Sequence, residues 1–396
     1  MSKIWKKSDE TNTHEIIEKY TVWKDYILDL DLIKYDIIAS IAHTEMLEKI
    51  WVINALERAN LLKWLAEIDS KREKGEFQID ISQEDGHTAI ESYLVDYYWE
   101  VWKKIHTWRS RNDQILVTLR LYTLDKYREI SSLLDGLIKV FEDKINQVWD
   151  IKMPWYTHTQ RAMPTTVGTW LWSFKESIID SKILLDAAAK VNNQNPLWSA
   201  AWFWDTWLWL DRELTTEKLW FTKVQSNPMY CAYSRWKFEY MMLQALSHVM
   251  LDLWKMANDL VFFSSKEFNF FDLPDSFKTG SSIMPQKKNW DIMELVRGNA
   301  NLFLWYEFQI REIYKMLLSW YNRDYQLTKE PYMSGINLVI STINVCSLVI
   351  DNLWVKRDNV EAACSEELYA TKEAYQLVKE GMSFRDAYIK IWQKYK

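Results

Sequence analysis

Apolar residues recur along most of the chain at steps of three to five positions, which is the spacing of one face of an α-helix. The longest such run covers residues 114–148 and has one weak point, Gly136. Similar runs cover roughly residues 230–263, 291–318 and 336–352, and strand-like alternation bounded by turns is scarce. The pattern predicts an almost all-α protein built around a bundle of unusually long helices.

The predicted helices are apolar on more than one face, which a single slender bundle cannot cover. The pattern therefore favours a homo-oligomer in which copies of the chain cover one another. The alternative is a separate helical layer of the same chain. We divide the chain into an N-terminal helical domain (1–112), a central long-helix domain (113–357) and a small C-terminal helical domain (358–396).

Composition excludes several classes of protein. The 396 residues carry a formal net charge of -6, which argues against a general nucleic-acid binder, since phosphate neutralisation needs a surplus of Lys and Arg. Cys231, Cys346 and Cys364 are far apart, so neither a disulfide framework nor a zinc site is indicated. The start lacks the apolar core of a signal peptide, and we find no run of 18 uncharged apolar residues. We expect a cytoplasmic protein without membrane contact.

Five polar segments interrupt the helical background. They cover residues 84–91, 106–114, 153–164, 279–299 and 319–331. Three of the six histidines, His87, His106 and His158, lie in these segments, whereas His14, His43 and His248 have helical surroundings and are interpreted as structural. Each segment alone is typical of a turn, a helix cap or a solvated helix start. Together they bring unlike donors onto separate helices, which a merely structural bundle does not need.

These segments suit a ligand that carries carboxylates. Gly280 and the backbone N–H groups after it can form a nest, while Lys287 and Asn289 supply a charge and an amide donor close to a helix N-terminus. Such a site stabilises negative charge that develops during a reaction. Glu294, on the helix that follows, could orient an imidazole such as that of His158.

The motifs resemble one known family. "GSSIMPQKKN" is similar to the signature loop of the fumarase and aspartase superfamily. With "HTWRSRNDQ", "MPWYTHTQRAMP" and "YNRDYQLTKEP", it looks like the argininosuccinate lyases in particular, over essentially the whole chain. The resemblance implies an all-α, fumarase/aspartase-like fold and a reversible β-elimination that splits argininosuccinate into arginine and fumarate, the last step of arginine biosynthesis. It also implies no metal, no organic cofactor and a homotetramer whose active sites are each assembled from three subunits.

The resemblance also implies a role for each matching residue. Ser281 would be the base that removes the proton next to a carboxylate, and Lys287 and Asn289 would hold that carboxylate. His158, paired with Glu294, would belong to the proton-transfer apparatus. The binding residues would be Ser110, Arg111, Asn112 and Thr157 for the succinyl portion, Tyr321, Gln326 and Lys329 for the arginine portion, and Asp85 with His87 along the wall of the site.

Two other functions stay open at this point. One keeps the superfamily but changes the substrate to aspartate, malate or adenylosuccinate, and the segment at 319–331 speaks against it because it matches the arginine side. The other is a non-catalytic structural helix-bundle protein. An assay for fumarate release separates the three functions. Release from argininosuccinate indicates the argininosuccinate lyase activity, release from another substrate indicates the second function, and release from none indicates the structural protein.

One feature of the composition is abnormal. The chain has 24 Trp and 8 Gly, although glycine averages about 7% of residues, which would be roughly 28 here. Most of the tryptophans fall where the family has glycine or another small residue. The clearest are Trp155, Trp198, Trp202, Trp204, Trp236, Trp305 and Trp320, and Trp23, Trp51, Trp64, Trp108, Trp220 and Trp392 follow the same pattern. Trp290 stands where proline is usual, Trp207 and Trp209 are unassigned, and Trp5 is interpreted as a true tryptophan.

Two explanations fit this pattern. In the first, which we favour, the source organism reads UGA as glycine and the gene was translated with a table that reads UGA as tryptophan. In the second, the tryptophans are real and the chain is a damaged or repurposed bundle with aromatic surfaces for partners. Glycine positions often demand a positive φ or a close backbone approach that an indole does not allow.

Overall fold

A computed structural model describes residues 14–98, 102–199 and 210–396, without the side chains of 95–98 and 102–103. In this part of the chain helices dominate, and strands form only two short antiparallel pairs. The all-α prediction is confirmed. The predictions for Trp5, Trp202, Trp204, Trp207 and Trp209 lie outside the described residues.

The elements are numbered in chain order. The helices are α1 (Glu15–Val22), α2 (Asp25–Leu28), α3 (Ile33–Lys49), α4 (Ala55–Glu73), α5 (Gly86–Tyr98), α6 (Trp102–Ile105), α7 (Arg111–Val148), α8 (Val167–Asn192), α9 (Arg212–Lys218), α10 (Pro228–Tyr233), α11 (Arg235–Phe263), α12 (Asp291–Tyr314), α13 (Lys329–Asp351), α14 (Arg357–Ala362), α15 (Ala370–Lys379) and α16 (Phe384–Lys394). The strands are β1 (Lys152–Thr157), β2 (Gln160–Thr166), β3 (Phe271–Asp272) and β4 (Trp354–Val355). Short 3₁₀ turns occupy Asp29–Asp31, Ile81–Gln83, Asp275–Phe277, Arg323–Thr328 and Glu366–Tyr369.

The long helices follow the apolar pattern of the sequence. Helix α7 runs for 38 residues, and the apolar positions in its second half are buried at helical spacing: Ile130, Leu134, Leu137, Phe141 and Ile145. The predicted run at 230–263 is divided at Ser234 into α10 and α11, and α13 begins seven residues before the predicted 336. The helices therefore exist where periodicity predicts them, while their ends depend on local caps.

The chain divides into two compact units, and each is described by itself. Unit 1 comprises Met1–Glu129, Leu185–Gln244 and Trp305–Ile336; unit 2 comprises Ile130–Leu184, Ala245–Leu304 and Asn337–Lys396. The boundaries between the two units fall inside the long helices, whereas the predicted three-domain division places its boundaries near helix ends. That three-domain division stays a prediction.

Unit 1 is built around α3, which packs against α4, α5 and α9. Asn54 begins α4 with a capping box in which its side chain and that of Glu57 each bond the other's backbone N–H. Residues 82–91 predict a helix start with Ser82 as its cap, and this cap is wrong. Asp80 caps the 3₁₀ turn Ile81–Gln83 instead, and Asp85 accepts the N–H of Thr88 at the start of α5.

Unit 2 has a core of apolar side chains from parts of α11, α12 and α13. Its buried members include Leu253, Met256, Leu260, Met293, Val296, Phe303, Val339, Ile343 and Cys346. The sequence pattern did not predict its hairpin, in which β1 and β2 pair antiparallel from Lys152↔Thr166 to Thr157↔Gln160. The two residues that join the strands, His158 and Thr159, both have positive φ, as type I′ hairpin turns require.

One helical stretch corrects the expectation that the chain has no apolar run long enough to cross a membrane. Residues Arg323–Asp351 are long and apolar enough to cross a membrane by length and composition, and 50% of the most apolar window is buried inside the chain. Ser, Asn and Thr interrupt this window, so it does not register as a purely apolar run in the sequence. Core helices of globular proteins meet the same criterion, and the finding is weak evidence for membrane contact.

We predict that Gly86→Ala destabilises unit 1. A Cβ at Gly86 would lie 2.9 Å from Ile33 Cδ1 and 3.3 Å from Asp29 Cβ, so the buried side chain of Ile33 would have to repack and that of Asp29 would have to give way. We expect a loss of about 1–3 kcal/mol in the free energy of unfolding, measured by urea denaturation. Gly136→Ala is the matched control: a Cβ there meets nothing within 4 Å, and alanine should stabilise α7 by about 0.5–1 kcal/mol. Equal effects of the two substitutions would contradict the close approach at Gly86.

Candidate active site

Unit 1 contains a polar cavity of about 210 Å³. Its lining includes seven of the predicted site residues, which come from three distant parts of the chain: Asp85, His87, Arg111, Asn112, Tyr321, Gln326 and Lys329. Four carboxylates, four Lys or Arg cations and one histidine share this lining. The near balance of charge suits a ligand that carries both cationic and anionic groups.

One wall of the cavity is an ion-pair network around Arg111. Its guanidinium donates to the carboxylate of Asp85, with Nε–Oδ2 at 3.0 Å, and to Glu84 at 3.3 Å. Glu84 also accepts from Arg323 Nη2 at 2.8 Å. Burial acts to raise the pKa of Asp85, but the charges of Arg111 and His87 outweigh it and hold that pKa below its ordinary value. Asp85 is therefore ionised at neutral pH and faces the guanidinium of Arg111.

Glu84 occupies an unusual backbone position. Its φ is +73°, a region that costs a non-glycine residue of order 1–3 kcal/mol. The side chain is buried between two guanidinium groups, and these ion pairs hold the loop in place. The sequence reasoning did not single out Glu84, although it stands in the first polar segment.

A second charged cluster of the cavity is organised by Lys329. Its Nζ lies 2.5 Å from Asp29 Oδ1 and 3.0 Å from Asp25 Oδ1, and the side chain is buried. Burial acts to lower the pKa of Lys329, but the two carboxylates more than offset this and raise it. Burial raises the pKa of Asp25 to about 6, against the opposing effect of Lys329. Lys329 is thus a charged residue of the cavity that is already paired.

His87 forms a buried dyad with Asp36. Its Nδ1–H donates to Asp36 Oδ2 at 2.5 Å, and its Nε2 has no hydrogen-bond partner in the described chain. Burial acts to lower the pKa of His87, yet Asp36 and Asp85 outweigh it and raise that pKa. An imidazole held in this way can present an Nε2–H to a ligand in the cavity.

Of the arginine-side residues, Gln326 lies in the 3₁₀ turn Arg323–Thr328, Tyr321 stands just before it and Lys329 begins α13. Gln326 donates from Nε2 to the carbonyl oxygens of Thr21 and Val22 and accepts from Arg323 Nε. The ring of Tyr321 stands edge-on to that of Tyr325, with centroids 6.1 Å apart. Gln326 therefore also fastens the end of α1 beside the cavity.

The remaining predicted binding residue of unit 1 is Ser110. It does not line the cavity; it begins α7, where its carbonyl accepts from the N–H groups of Asp113 and Gln114. Its Oγ accepts the N–H of Asn112 at 3.3 Å, which sets the position of that residue. Ser110 thus fixes the backbone from which Arg111 and Asn112 reach the cavity.

In unit 2, the signature loop between Thr279 and Asn289 closes on itself. The N–H of Asn289 donates to the carbonyl of Thr279 at 2.9 Å. Ser281 Oγ accepts the N–H groups of Ile283 and Met284, at 3.3 and 3.1 Å. Lys287 is exposed, and Asn289 Nδ2 lies 3.4 Å from the carbonyl of Gly280. The loop presents a serine and a lysine to solvent from a defined turn.

The other predicted residues of unit 2 are also exposed. Thr157 ends β1 and His158 stands in the hairpin turn, while Glu294 lies in the first turn of α12. No hydrogen bond or ion pair joins His158 to Glu294 within the described chain, so that pairing stays a prediction. The fourteen predicted residues thus fall into two groups, eight in unit 1 and six in unit 2.

Sequence reasoning missed four carboxylates and two cations of the cavity region: Glu84, Asp25, Asp29, Asp36, Arg235 and Arg323. The three aspartates carry a usable signal, since acidic residues recur within the apolar run 25–40. Asp29 and Asp36 are buried there, and Asp25 is half-buried. Arg235 carries no such signal, because its isolation depends on what packs around it.

Comparisons with known proteins find relatives along nearly the whole chain. A family model described as "Lyase" matches residues 10–302. The argininosuccinate lyase of Thermotoga neapolitana is 39% identical over 99% of this chain and 98% of its own length. That of Phocaeicola vulgatus is 38% identical over 98% of this chain and 86% of its own length.

Solved structures support the fold alone, because their sequences are distant. EDDS lyase in complex with formate has a TM-score of 0.81 at 22% identity and covers 96% of this chain and 76% of its own. A fumarate lyase:delta crystallin from Brucella melitensis has a TM-score of 0.76 at 17% identity and covers 94% of each chain. From the family match and the near full-length identity, the chain belongs to the argininosuccinate lyase family of carbon–nitrogen lyases.

Proposed function

We propose that the chain splits argininosuccinate into L-arginine and fumarate by a reversible β-elimination. The observation that carries the proposal is the cavity of unit 1, where residues matched to the succinyl portion, Arg111 and Asn112, share one lining with Tyr321, Gln326 and Lys329, matched to the arginine portion. Argininosuccinate carries carboxylates, an ammonium and a guanidinium group, and the mixed charge of the lining complements it. The reaction yields arginine and so belongs to amino-acid biosynthesis.

The proposed chemistry begins on the signature loop. Ser281 removes a proton from the carbon next to a succinyl carboxylate, and Lys287 with Asn289 holds the carboxylate that takes up the negative charge. The carbon–nitrogen bond then breaks, and the guanidinium nitrogen that leaves receives a proton through the apparatus of His158 and Glu294. Arginine and fumarate are the two products, and neither a metal nor an organic cofactor enters the scheme.

A serine base requires help, because a free hydroxyl holds its proton too tightly. We propose that Lys287, the backbone N–H groups of the loop and exclusion of water on closure stabilise the alkoxide. Two features of the loop support this: Ser281 Oγ already accepts two backbone N–H groups, and the loop is exposed enough to move.

We also propose a homotetramer whose active sites are each assembled from three subunits. The long helices carry large apolar side chains in solvent, among them Trp172, Ile179, Ile183, Leu184, Leu251, Phe262, Leu295, Leu302 and Leu348. Such faces favour burial against other copies. We propose a cytoplasmic protein that binds neither nucleic acid nor a membrane, since the net charge of -6 argues against nucleic-acid binding and the three scattered cysteines favour a reducing compartment.

We propose further that most of the tryptophans are glycines in the protein that the cell makes, encoded by UGA. Among the described non-glycine residues, ten have positive φ, and half of these are tryptophan: Trp23, Trp51, Trp108, Trp198 and Trp220. Trp51 is 91% exposed and Trp220 is 70% exposed, so neither side chain gains burial in return for the strained backbone. Five such residues, at about 1–3 kcal/mol each, would remove much of a typical stability of about 5–15 kcal/mol.

We predict that Ser281→Ala abolishes fumarate release from argininosuccinate, followed by fumarate absorbance, while calorimetry still detects substrate binding. Removal of a catalytic base is expected to lower kcat by at least about 100-fold. Ser282→Ala is the matched control, because it removes the neighbouring hydroxyl from the same loop, and we expect it to retain most of the activity. Substantial activity in the Ser281→Ala variant would exclude that serine as the base. Fumarate release from a different substrate alone would contradict the proposed function.

We predict that two inactive variants complement each other if sites are shared between subunits. Asn112→Leu removes a cavity amide of unit 1 that makes no side-chain hydrogen bond in the described chain, and Ser281→Ala removes the base of unit 2. Each variant alone should be inactive, whereas co-expression should restore part of the activity, because some mixed sites take both native groups from different chains. A mixture as inactive as its parents, with tetramers confirmed by light scattering, would contradict shared sites.

We predict that peptide mass spectrometry of the protein from its native cell finds glycine at positions 51 and 220. In the recombinant chain, Trp51→Gly and Trp220→Gly should each raise the free energy of unfolding by about 1 kcal/mol, because glycine adopts positive φ without strain. Trp170→Gly is the matched control: Trp170 is buried and stacked on Phe271, so its removal should cost about 3–5 kcal/mol. Tryptophan at 51 and 220 in the native protein would refute the UGA proposal.

A further inference from the structure

Arg235 is a buried guanidinium group that lines the cavity of unit 1. It is the first residue of α11, and its side chain is 3% exposed. Its Nε and Nη2 atoms have no hydrogen-bond partner in the described chain. Buried donors are nearly always paired in folded proteins, and an unpaired charged donor is especially costly. These two atoms of Arg235 therefore lack a hydrogen-bond acceptor within the described residues, and a bound ligand can supply one.

The nearest carboxylate is a poor partner. Glu239 stands one turn along α11, and its Oε1 lies 4.0 Å from Arg235 Nε, which is too far for a hydrogen bond. Its Oε2 also has no partner, and burial raises the pKa of Glu239 to about 7. The glutamate is thus partly neutral at physiological pH and only partly balances the guanidinium charge.

The other cations of the cavity are already bonded. Arg111 donates to Asp85 and Glu84, Arg323 donates to Glu84, and Lys329 donates to Asp29. Within the described residues, Arg235 is the cavity cation that lacks a bonded carboxylate. It also stands at the N-terminal end of α11, where the helix dipole disfavours a cation. An anion bound here would relieve both penalties.

The charges around Arg235 indicate which anion fits. The groups that interact electrostatically with Arg235 include Asp25, Lys329, Glu239 and Tyr325. Asp25 and Lys329 belong to one charged cluster, and Lys329 is the lysine predicted to bind the arginine portion. An amino-acid head group places an ammonium beside a carboxylate. The carboxylates of Asp25 and Asp29 complement the ammonium, and the guanidinium of Arg235 complements the carboxylate, which it can bind through two parallel N–H groups.

We propose that Arg235 binds the α-carboxylate of the arginine portion of the substrate and thereby selects amines that carry this carboxylate. The inference rests on the proposed function and extends it to specificity. Guanidines with the same chain but no α-carboxylate leave Arg235 buried and unpaired, and the enzyme discriminates against them.

The test compares arginine with agmatine, which keeps the chain, the guanidinium and the amine but lacks the carboxylate. Binding of each to the full-length protein is measured by calorimetry, so that no catalytic activity is needed. The wild type should bind arginine about tenfold to hundredfold more tightly than agmatine, as expected for a hydrogen-bonded charged group. Arg235→Gln should weaken arginine binding by a similar factor and change agmatine binding by less than twofold.

Two further variants complete the comparison. Lys237→Gln makes the same change of charge on α11 at a residue that does not line the cavity, and it should leave both affinities unchanged. Arg235→Lys keeps the buried charge without the paired N–H geometry, and its preference for arginine should fall between wild type and the glutamine variant. Circular dichroism tests whether each variant is folded. If the glutamine variant is unfolded, the lysine variant decides whether Arg235 recognises the carboxylate.

Several outcomes would overturn the inference. Equal weakening of arginine and agmatine would mean that Arg235 acts on the cavity as a whole and not on the carboxylate. Equal affinity of the wild type for the two amines would mean that the carboxylate is not recognised. A wild type that fails to release fumarate from argininosuccinate refutes the proposed function instead, and that assay is independent of the amine comparison.

Discussion

The cavity of unit 1 depends on the buried ion pairs that the ammonium group of Lys329 makes with two aspartates. This ammonium group joins Asp25 of α2 and Asp29 of the following 3₁₀ turn to the start of α13. The second oxygen of Asp29 accepts the N–H of Gly86 at 3.0 Å, so the same cluster also positions the start of α5. Breaking such a buried ion pair from one side costs about 3–5 kcal/mol, because it leaves a buried charge uncompensated. This cluster therefore positions the cavity side chains that these segments carry.

Around that cluster the cavity is arranged for charge before any ligand arrives. Arg111 and Arg323 are held by Glu84 and Asp85, and His87 is held by Asp36. Groups that are already oriented need little reorganisation when they meet a charged substrate. Arg235 differs from the others because Glu239, at 4.0 Å, balances its charge only in part and its Nε and Nη2 atoms have no hydrogen-bond partner in the described chain. An anion bound at this guanidinium would offset the cost of burying it.

The tryptophans show how a fold can reveal a conflict within its own sequence. At Trp51 and Trp220 the backbone takes positive φ, although their side chains lie largely in solvent. At Trp198 the indole is buried and its Nε1 donates to His43 Nδ1 at 2.9 Å, yet the backbone still has a φ of +60°. The strain at these positions is independent of how well the side chain packs. It therefore follows from the path of the chain, and glycine fits that path without strain.

The sequence by itself determined the helical class and the places of the long helices, and it named seven of the residues that line the cavity. Periodicity is a local property, and the signature loop, the segment before α7 and the segment before α13 are each readable within a dozen residues. The tertiary structure alone decided the hairpin turn at His158, the pairing of Lys329 with Asp29, the dyad of His87 and Asp36, and the isolation of Arg235. These depend on which distant segments pack together and which charges water no longer screens. Such contacts leave no periodic signal in the chain, because they join residues up to 300 positions apart.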